Sequence, residues 1–157
     1  MTNGGTGPFR SNLVLITSGR GPLPPSIALV NPKPPHNATV LLDNFFGRQF
    51  NSLNDIKIHP ISKAFFFTDV TYVLSSFSIK KYSHQFSYGF LNHFRPAPLM
   101  PNQVYRFDPS TGAVRVVATD FDKCNGIAFS PDGKIAYMCV YLNPTLLRVA
   151  YNYNWNN

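Results

Sequence analysis

The sequence predicts an all-β protein built from antiparallel strands in a blade-type repeat. Three observations support this fold class. The apolar runs are short and are bounded by Pro, Gly, Asn and Ser, as is typical of strands. No segment combines sustained helical spacing with a cap at each end. Two distant segments also share one pattern, and such repetition is typical of propellers and related arrays.

The apolar runs predict a series of short strands. The run at 64–68 (AFFFT) is a continuous aromatic run, which fits a buried strand, whereas 55–59 (DIKIH) alternates like a half-buried strand. The predicted strands are 12–17, 26–30, 39–42, 55–59, 64–68, 103–107, 113–118, 126–129 and 134–138.

The connectors between these strands are rich in turn formers. Residues 108–112 (DPSTG) and 130–133 (SPDG) have the Pro, Asp and Gly that tight turns require. The segment 54–60 (NDIKIHP) can be aligned with 125–131 (NGIAFSP), and each is followed by a turn and an aromatic strand. The repeat therefore predicts two related hairpins that each begin at an Asn.

Composition limits the function classes. The chain has 157 residues, of which 44% are hydrophobic and 13% are charged, with 14 Lys and Arg against 7 Asp and Glu. The basic residues are scattered, so we expect no nucleic-acid partner. No apolar stretch is long enough to cross a membrane, and no signal-peptide pattern precedes the first predicted strand. Cys124 and Cys139 lack metal-site spacing, and free thiols are expected rather than a disulfide.

Long motifs in the sequence carry a resemblance to a known family. FNSLNDIKIHP followed by FFFTDVTY, and NQVYRFDPSTGAVRVVATDFDKCNGIAFSPDGKIAY, resemble the SMP-30/gluconolactonase/lactonohydrolase family over residues 26–72 and 89–138. LLDNFFGRQFNSLNDI and FRPAPLMPNQVYRFDP are most similar to its fungal lactonohydrolase branch. The resemblance implies a six-bladed β-propeller that opens small-molecule lactones or related esters with a divalent metal, commonly calcium. A chain of this length would form two to three blades, so the ring would not close.

The resemblance also implies site residues. Asn54 and Asn125 match positions that hold the metal, and an amide oxygen is a suitable donor for calcium. The metal would polarise a lactone carbonyl, and a carboxylate would accept a proton. Asp69 is placed near the attacking water, and Asp55 in support of Asn54. From the residues alone, an Asn at the start of a strand also fits an Asx turn, and His59 fits a solvated turn.

The sequence departs from the family in its charged groups. It has no Glu, and after 134–138 the acid that relatives carry is replaced by Cys139-Val140-Tyr141. At most two neutral ligands of the site remain, which predicts weak or absent activity. The alternatives are a non-catalytic propeller fragment acting as an interaction surface, and a basic module that binds anions or nucleic acid.

The chain is expected to divide into a partial strand and loop at 1–25, a propeller fragment at 26–138, and an atypical Asn- and Tyr-rich tail at 139–157. Residues 73–88 interrupt the family motif, either as a loop insertion or as an error in the predicted gene. An open array of blades would expose unpaired strand edges, so self-association is expected. The same reasoning predicts exposure of the apolar face at 65–67.

Overall fold

The computed structural model describes residues 2–20, 22–71, 100–121, 124–142 and 145–152, with the backbone alone for 140–152. All regular structure in these ranges is β. The strands are β1 (Thr2–Phe9), β2 (Asn12–Thr17), β3 (Ser26–Val30), β4 (Ala38–Leu42), β5 (Asn44–Phe45), β6 (Arg48–Gln49), β7 (Leu53–Ile58), β8 (Phe65–Asp69), β9 (Gln103–Phe107), β10 (Val114–Ala118), β11 (Cys124–Phe129), β12 (Ile135–Leu142) and β13 (Thr145–Asn152). The predicted all-β class is confirmed.

The strands form three antiparallel sheets of propeller type. Blade 1 is β1-β2-β3-β4, blade 2 is β7-β8-β9-β10, and blade 3 is β11-β12-β13. A two-stranded hairpin, β5-β6, lies in the connection between blades 1 and 2. Within the described ranges the sheets do not close into a ring, which confirms the predicted open array of two to three blades.

The first strand of each blade lies next to the first strand of its neighbour. Strand β7 contacts β1 on one side and β11 on the other. These three strands are therefore the innermost strands, on the side that faces the propeller axis. Their starting ends share one rim of the structure, which is where the candidate site lies.

Two apolar cores separate the three sheets. The core between blades 1 and 2 contains Ile16, Phe65 and Phe67, whereas the core between blades 2 and 3 contains Phe66 and Met138. Successive side chains of a strand point to opposite faces, so the continuous aromatic run of β8 fills both cores. Phe65, Phe66 and Phe67 are fully buried. The expectation that this run would lie on an exposed face was wrong, because blade 2 is covered on both sides.

Some strands were not anticipated. Strand β1 lies in the predicted N-terminal strand and loop, and β13 lies in the predicted atypical tail. The insertion at 73–88 lies outside the described residues. Among the described residues, none belongs to a helix that could cross a membrane.

Candidate functional site

A β-bulge opens each innermost strand, and each bulge contains an Asn. In blade 2, Leu53 pairs with Asp69 and Ile56 with Phe67, so that Asn54 and Asp55 together face Thr68. In blade 3, Cys124 pairs with Val140 and Ile127 with Met138, so that Asn125 and Gly126 face Cys139. A bulge bends its strand and re-aims side chains, and bulges are common beside functional sites.

Asn54 and Asn125 occupy the same position on adjacent strands. Asn54 is buried and Asn125 is half-buried. The fully buried Thr68 hydroxyl joins the two bulges: it donates a hydrogen bond to the carbonyl oxygen of Asn125 at 2.7 Å and accepts one from the N–H of Asp55 at 3.0 Å. The structure thus brings the two predicted amide residues into one bridged unit. Sequence reasoning missed Thr68, whose only signal is its place in the FFFTD strand.

Asp55 links blade 2 to blade 3. Its Oδ2 accepts a hydrogen bond from the N–H of Ile127 at 3.0 Å, and its Oδ1 accepts one from the N–H of Ile56 at 2.8 Å. The Lys57 ammonium lies 3.2 Å from the same Oδ1. Both carboxylate oxygens therefore accept hydrogen bonds, from two backbone N–H groups and from the Lys57 ammonium. The role of Asp55 in support of Asn54 stays a prediction.

Asp69 is fully buried at the end of β8. Its Oδ1 accepts the N–H of Ser52 at 2.8 Å and its Oδ2 accepts the N–H of Asn51 at 3.0 Å. Burial raises the pKa of Asp69 to about 6, although the backbone N–H donors of Asn51, Ser52 and Val70 oppose the shift. The Asp69 side chain thus fixes the backbone of Asn51 and Ser52, which leads into Asn54. That Asp69 lies near the attacking water stays a prediction.

Blade 1 contains a third Asn at the same bulge position, which sequence reasoning missed. The register of β1 shifts between Thr2 and Gly5, so Asn3 and Gly4 are bulged. The Asn3 side chain donates to the carbonyl oxygen of Leu53 at 3.3 Å. A Cβ on Gly4 would lie 2.7 Å from the carbonyl oxygen of Asn54, so only Gly allows this approach of β1 to β7. The signal was the recurring Asn-Gly or Asn-Asp pair.

His59 is buried between blades 2 and 3, so the expectation that it is a solvated turn residue was wrong. Its Nδ1 accepts hydrogen bonds from the N–H groups of Ser62 at 3.1 Å and Ile61 at 3.4 Å, so its Nε2 carries the proton and donates to the Gly133 carbonyl at 3.0 Å. The ring also packs edge-on against Phe129. Proximity in sequence to a proline turn suggested exposure, but the neighbouring blade covers the turn.

The donor set fits a hard cation only in part. The amide oxygens of Asn54 and Asn125 are suitable donors for calcium. In the described part of the chain, however, no three His, Cys, Asp or Glu side chains form a metal-binding group. The Cys124 thiol donates a hydrogen bond to the Asp69 carbonyl at 3.3 Å, and burial raises the pKa of this thiol to about 12. Because metals bind the thiolate, this sulfur is a poor ligand. Both cysteines are free, as expected, but only Cys124 is buried, and Cys139 is half-buried.

These features, an open arc of propeller blades with bulged Asn residues on its innermost strands, define a propeller-type protein with a candidate site at the axis. The sequence model of the SMP-30/Gluconolactonase/LRE-like region matches residues 3–156. The chain therefore belongs to the SMP-30/gluconolactonase family.

The chain is also similar to fungal lactonohydrolases. It is 32% identical to Lactonohydrolase oryL of Aspergillus oryzae over 98 residues, which are 62% of this chain and 19% of that protein. It is 50% identical to Lactonohydrolase oryH of the same organism over 42 residues, which are 27% of this chain and 9% of that protein. The matched segments are thus a small part of either relative.

Two solved structures share the fold. A gluconolactonase from Xanthomonas campestris superposes with a TM-score of 0.68 at 22% identity, covering 99% of this chain and 45% of that one. A structural-genomics X-ray structure of a protein assigned as a gluconolactonase superposes with a TM-score of 0.69 at 20% identity, covering 98% of this chain and 46% of the other. The chain spans about half the length of these proteins.

Proposed function

We propose that this chain forms part of the site of a metal-dependent hydrolase that opens lactones or related carboxylic esters. The observation that carries the proposal is the matched pair of bulges, which places Asn54 and Asn125 on adjacent innermost strands with Thr68 between them. Similarity to lactonohydrolases supports the reaction class.

The amide oxygens of Asn54 and Asn125 are the groups we expect to hold the cation, with calcium as the first candidate. When bound, such a cation polarises a carbonyl and lowers the pKa of a water. Asp55 and Thr68 keep the two bulges at a fixed separation through their hydrogen bonds across the blade boundary. Asp69 stays our candidate proton acceptor because its pKa is raised to about 6. Its contacts with Asn51 and Ser52 favour a positioning role instead.

We expect the chain by itself to bind calcium weakly and to have little or no turnover. Calcium affinity depends on the number and the charge of the ligands. The proposed pair is neutral, and the oxygens of Asp55 already accept hydrogen bonds. The second candidate function is a non-catalytic interaction surface, because sheets that do not close leave strand edges able to pair with another chain.

Calorimetric titration with Ca²⁺, together with hydrolysis of D-glucono-1,5-lactone, tests this proposal. We expect weak binding, and we expect Asn54→Ala and Asn125→Ala each to weaken it roughly tenfold by removing one oxygen ligand. Asn37→Ala, at an exposed position before β4, is the matched control. Light scattering is measured first on every sample, because association through open edges would itself release heat.

Calcium binding that is equal in both variants and the control would overturn the assignment of Asn54 and Asn125. A chain that neither binds calcium nor hydrolyses the lactone, yet forms a defined oligomer, would favour the interaction surface. Turnover that is lost in either variant while the mass and the melting temperature are unchanged would establish the enzyme.

A further inference from the structure

The sheet face of blade 1 that points away from blade 2 is apolar. Val14, Ile16 and Ile27 belong to the core between these two blades, so the residues next to them in sequence point to the opposite side. This outward face of blade 1 consists of Leu13, Leu15, Ala28, Val30 and Val40. Leu15 pairs with Ala28, and Ala28 pairs with Val40. The face is therefore one continuous apolar surface across β2, β3 and β4.

This outward face has the composition of a buried surface. None of the four strands of blade 1 contains a charged residue, and β3 (SIALV) is apolar at four consecutive positions. Such a run is typical of a strand that is covered on both faces, whereas a sheet face in water carries polar residues. Leu13 is nevertheless 42% exposed and Val40 57% exposed. An apolar surface of this kind indicates a site of protein contact.

The far side of blade 3 has a second face of the same character. Ile127, Ala136 and Met138 pack in the core with blade 2, so Ala128 and Tyr137, which pair with each other, point away from it. Tyr137 is 45% exposed, and neither β11 nor β12 contains a charged residue. We call the surface of Ala128 and Tyr137 the outward face of blade 3. Because both outward faces are uncharged, no charge repulsion opposes contact between them.

The arrangement of the blades indicates what covers these faces. Each contact inside the chain joins the later side of one blade to the earlier side of the next, first between blades 1 and 2 and then between blades 2 and 3. Blade 1 leaves an earlier side open, and blade 3 leaves a later side open. A second copy of this chain supplies both missing partners. The two solved proteins that share the fold are also slightly more than twice as long as the part that this chain covers.

We propose that two copies of this chain form a closed dimer in which the outward face of blade 1 in each copy packs on the outward face of blade 3 in the other. Two identical contacts of this kind satisfy two-fold symmetry and leave neither face open. The contact joins sheet faces, so it differs from pairing through strand edges. It also brings a second pair of Asn54 and Asn125 to the same axis. The dimer itself does not depend on the proposed hydrolase function.

The mass of the full chain in solution tests this dimer. Sedimentation and light scattering are measured in the presence of EDTA, and we expect the mass of two copies. Val40→Glu and Tyr137→Glu should each raise the dimer dissociation constant roughly tenfold or more, because each leaves an unpaired carboxylate in the contact. Ile61→Glu adds the same charge at a position that is 65% exposed in the turn between β7 and β8, and it should leave the dimer intact. Melting curves show whether each variant is folded, and Leu13→Glu replaces Val40→Glu if that variant is not.

A mixture of Val40→Glu and Tyr137→Glu tests which faces meet. Each variant retains the face that the other has lost, so the mixture should recover dimer that neither variant forms alone. A monomeric wild-type chain would overturn the proposal, and so would a dimer that Ile61→Glu weakens as much as Val40→Glu does. Tyr137→Glu that stays dimeric would also overturn it, because blade 1 would then pair with blade 1 or the strand edges would carry the contact. Mass is measured without calcium or lactone, so a failure of the proposed function leaves this result unaffected.

Discussion

The inner hairpins of blades 2 and 3 share a backbone but differ in their polar groups. In β7-β8, the N–H of His59 donates to the Ala64 carbonyl at 2.8 Å, and in β11-β12 the N–H of Ser130 donates to the Ile135 carbonyl at 2.9 Å. Both hairpins also open on a bulge with Asn in the second position. The repeat read from the sequence is therefore a real structural repeat.

The side chains at matching positions nevertheless differ in character. Blade 2 has Asp55, His59, Thr68 and Asp69 where blade 3 has Gly126, Ser130, Cys139 and Val140. Three of the blade 2 residues make hydrogen bonds to blade 3 through its backbone, at Ile127, Gly133 and Asn125. The comparison teaches that the polar attachment of the two blades is uneven. Blade 2 supplies the carboxylate, imidazole and hydroxyl of these contacts, whereas the side-chain donor that blade 3 returns is the thiol of Cys124, a weak donor, to the Asp69 carbonyl.

The largest expected loss of folding stability follows substitution of His59. Replacing it with Leu removes the acceptor for the N–H groups of Ile61 and Ser62 and the donor to Gly133. The Gly133 carbonyl loses its donor in a buried contact, and the part-buried N–H groups of Ile61 and Ser62 each lose a hydrogen bond, so we expect His59→Leu to lower the free energy of unfolding by about 4 kcal/mol. Urea denaturation followed by fluorescence measures the change.

Ser130→Ala is the matched control for His59→Leu. The Ser130 hydroxyl accepts the N–H of Ile135 at 2.9 Å and donates to Asp132, in a half-exposed turn where water can replace it. We expect a loss of only about 1 kcal/mol. Equal losses of stability at the two positions would contradict the uneven attachment of the blades.

The second largest effect is a dependence of folding stability on pH that Asp69 introduces. Blade 3 lacks a titratable group at the matching position, which is Val140. The pKa of Asp69 is raised from 3.8 to about 6 by burial. Between these two values the folded state holds a proton that the unfolded state has released. Stability therefore falls as the pH rises from about 4 through 6, by roughly 3 kcal/mol in total.

Chemical denaturation at a series of pH values checks this prediction. Asp108 and Asp132 have a lowered pKa because hydrogen bonds from Ser110 and Ser130 favour their charged forms, so they act in the opposite direction at lower pH. Both remain in Asp69→Asn, so subtracting the variant isolates Asp69. The same slope in the wild type and the variant would refute the prediction, and the carboxyl NMR shift of Asp69 should titrate near pH 6.

The sequence predicted the backbone of this protein better than its contacts between blades. Short apolar runs predicted most strands within a few residues, because burial on a pleated strand leaves a local pattern. The Gly-rich segment of β1 was missed because its apolar character is weak. Its place is set by the close approach of Gly4 to β7, which is a tertiary feature.

The same distinction applies to the candidate site. Asn54 and Asn125 could be selected as candidates because the repeat and the family motifs mark them, and their shared bulge position could be predicted from that repeat. The buried state of His59 and the bridging role of Thr68 could not, because each depends on a partner in another blade. The type of a residue and its neighbours in sequence do not specify which groups of a neighbouring blade contact it.

The smallest expected effect tests that bridge directly. Thr68→Val keeps the shape of the side chain but removes the hydroxyl that joins the Asp55 N–H to the Asn125 carbonyl. Leaving these two groups without a partner should lower the free energy of unfolding by about 2 kcal/mol. Cys139→Ala, which changes the matching residue of blade 3, should cost less than about 1 kcal/mol because that side chain is half-buried.

Thr68→Ser retains the hydroxyl, and it should recover the calcium affinity that Thr68→Val loses if the bridge sets the separation of Asn54 and Asn125. Recovery of stability without recovery of calcium affinity would limit Thr68 to holding the blades together.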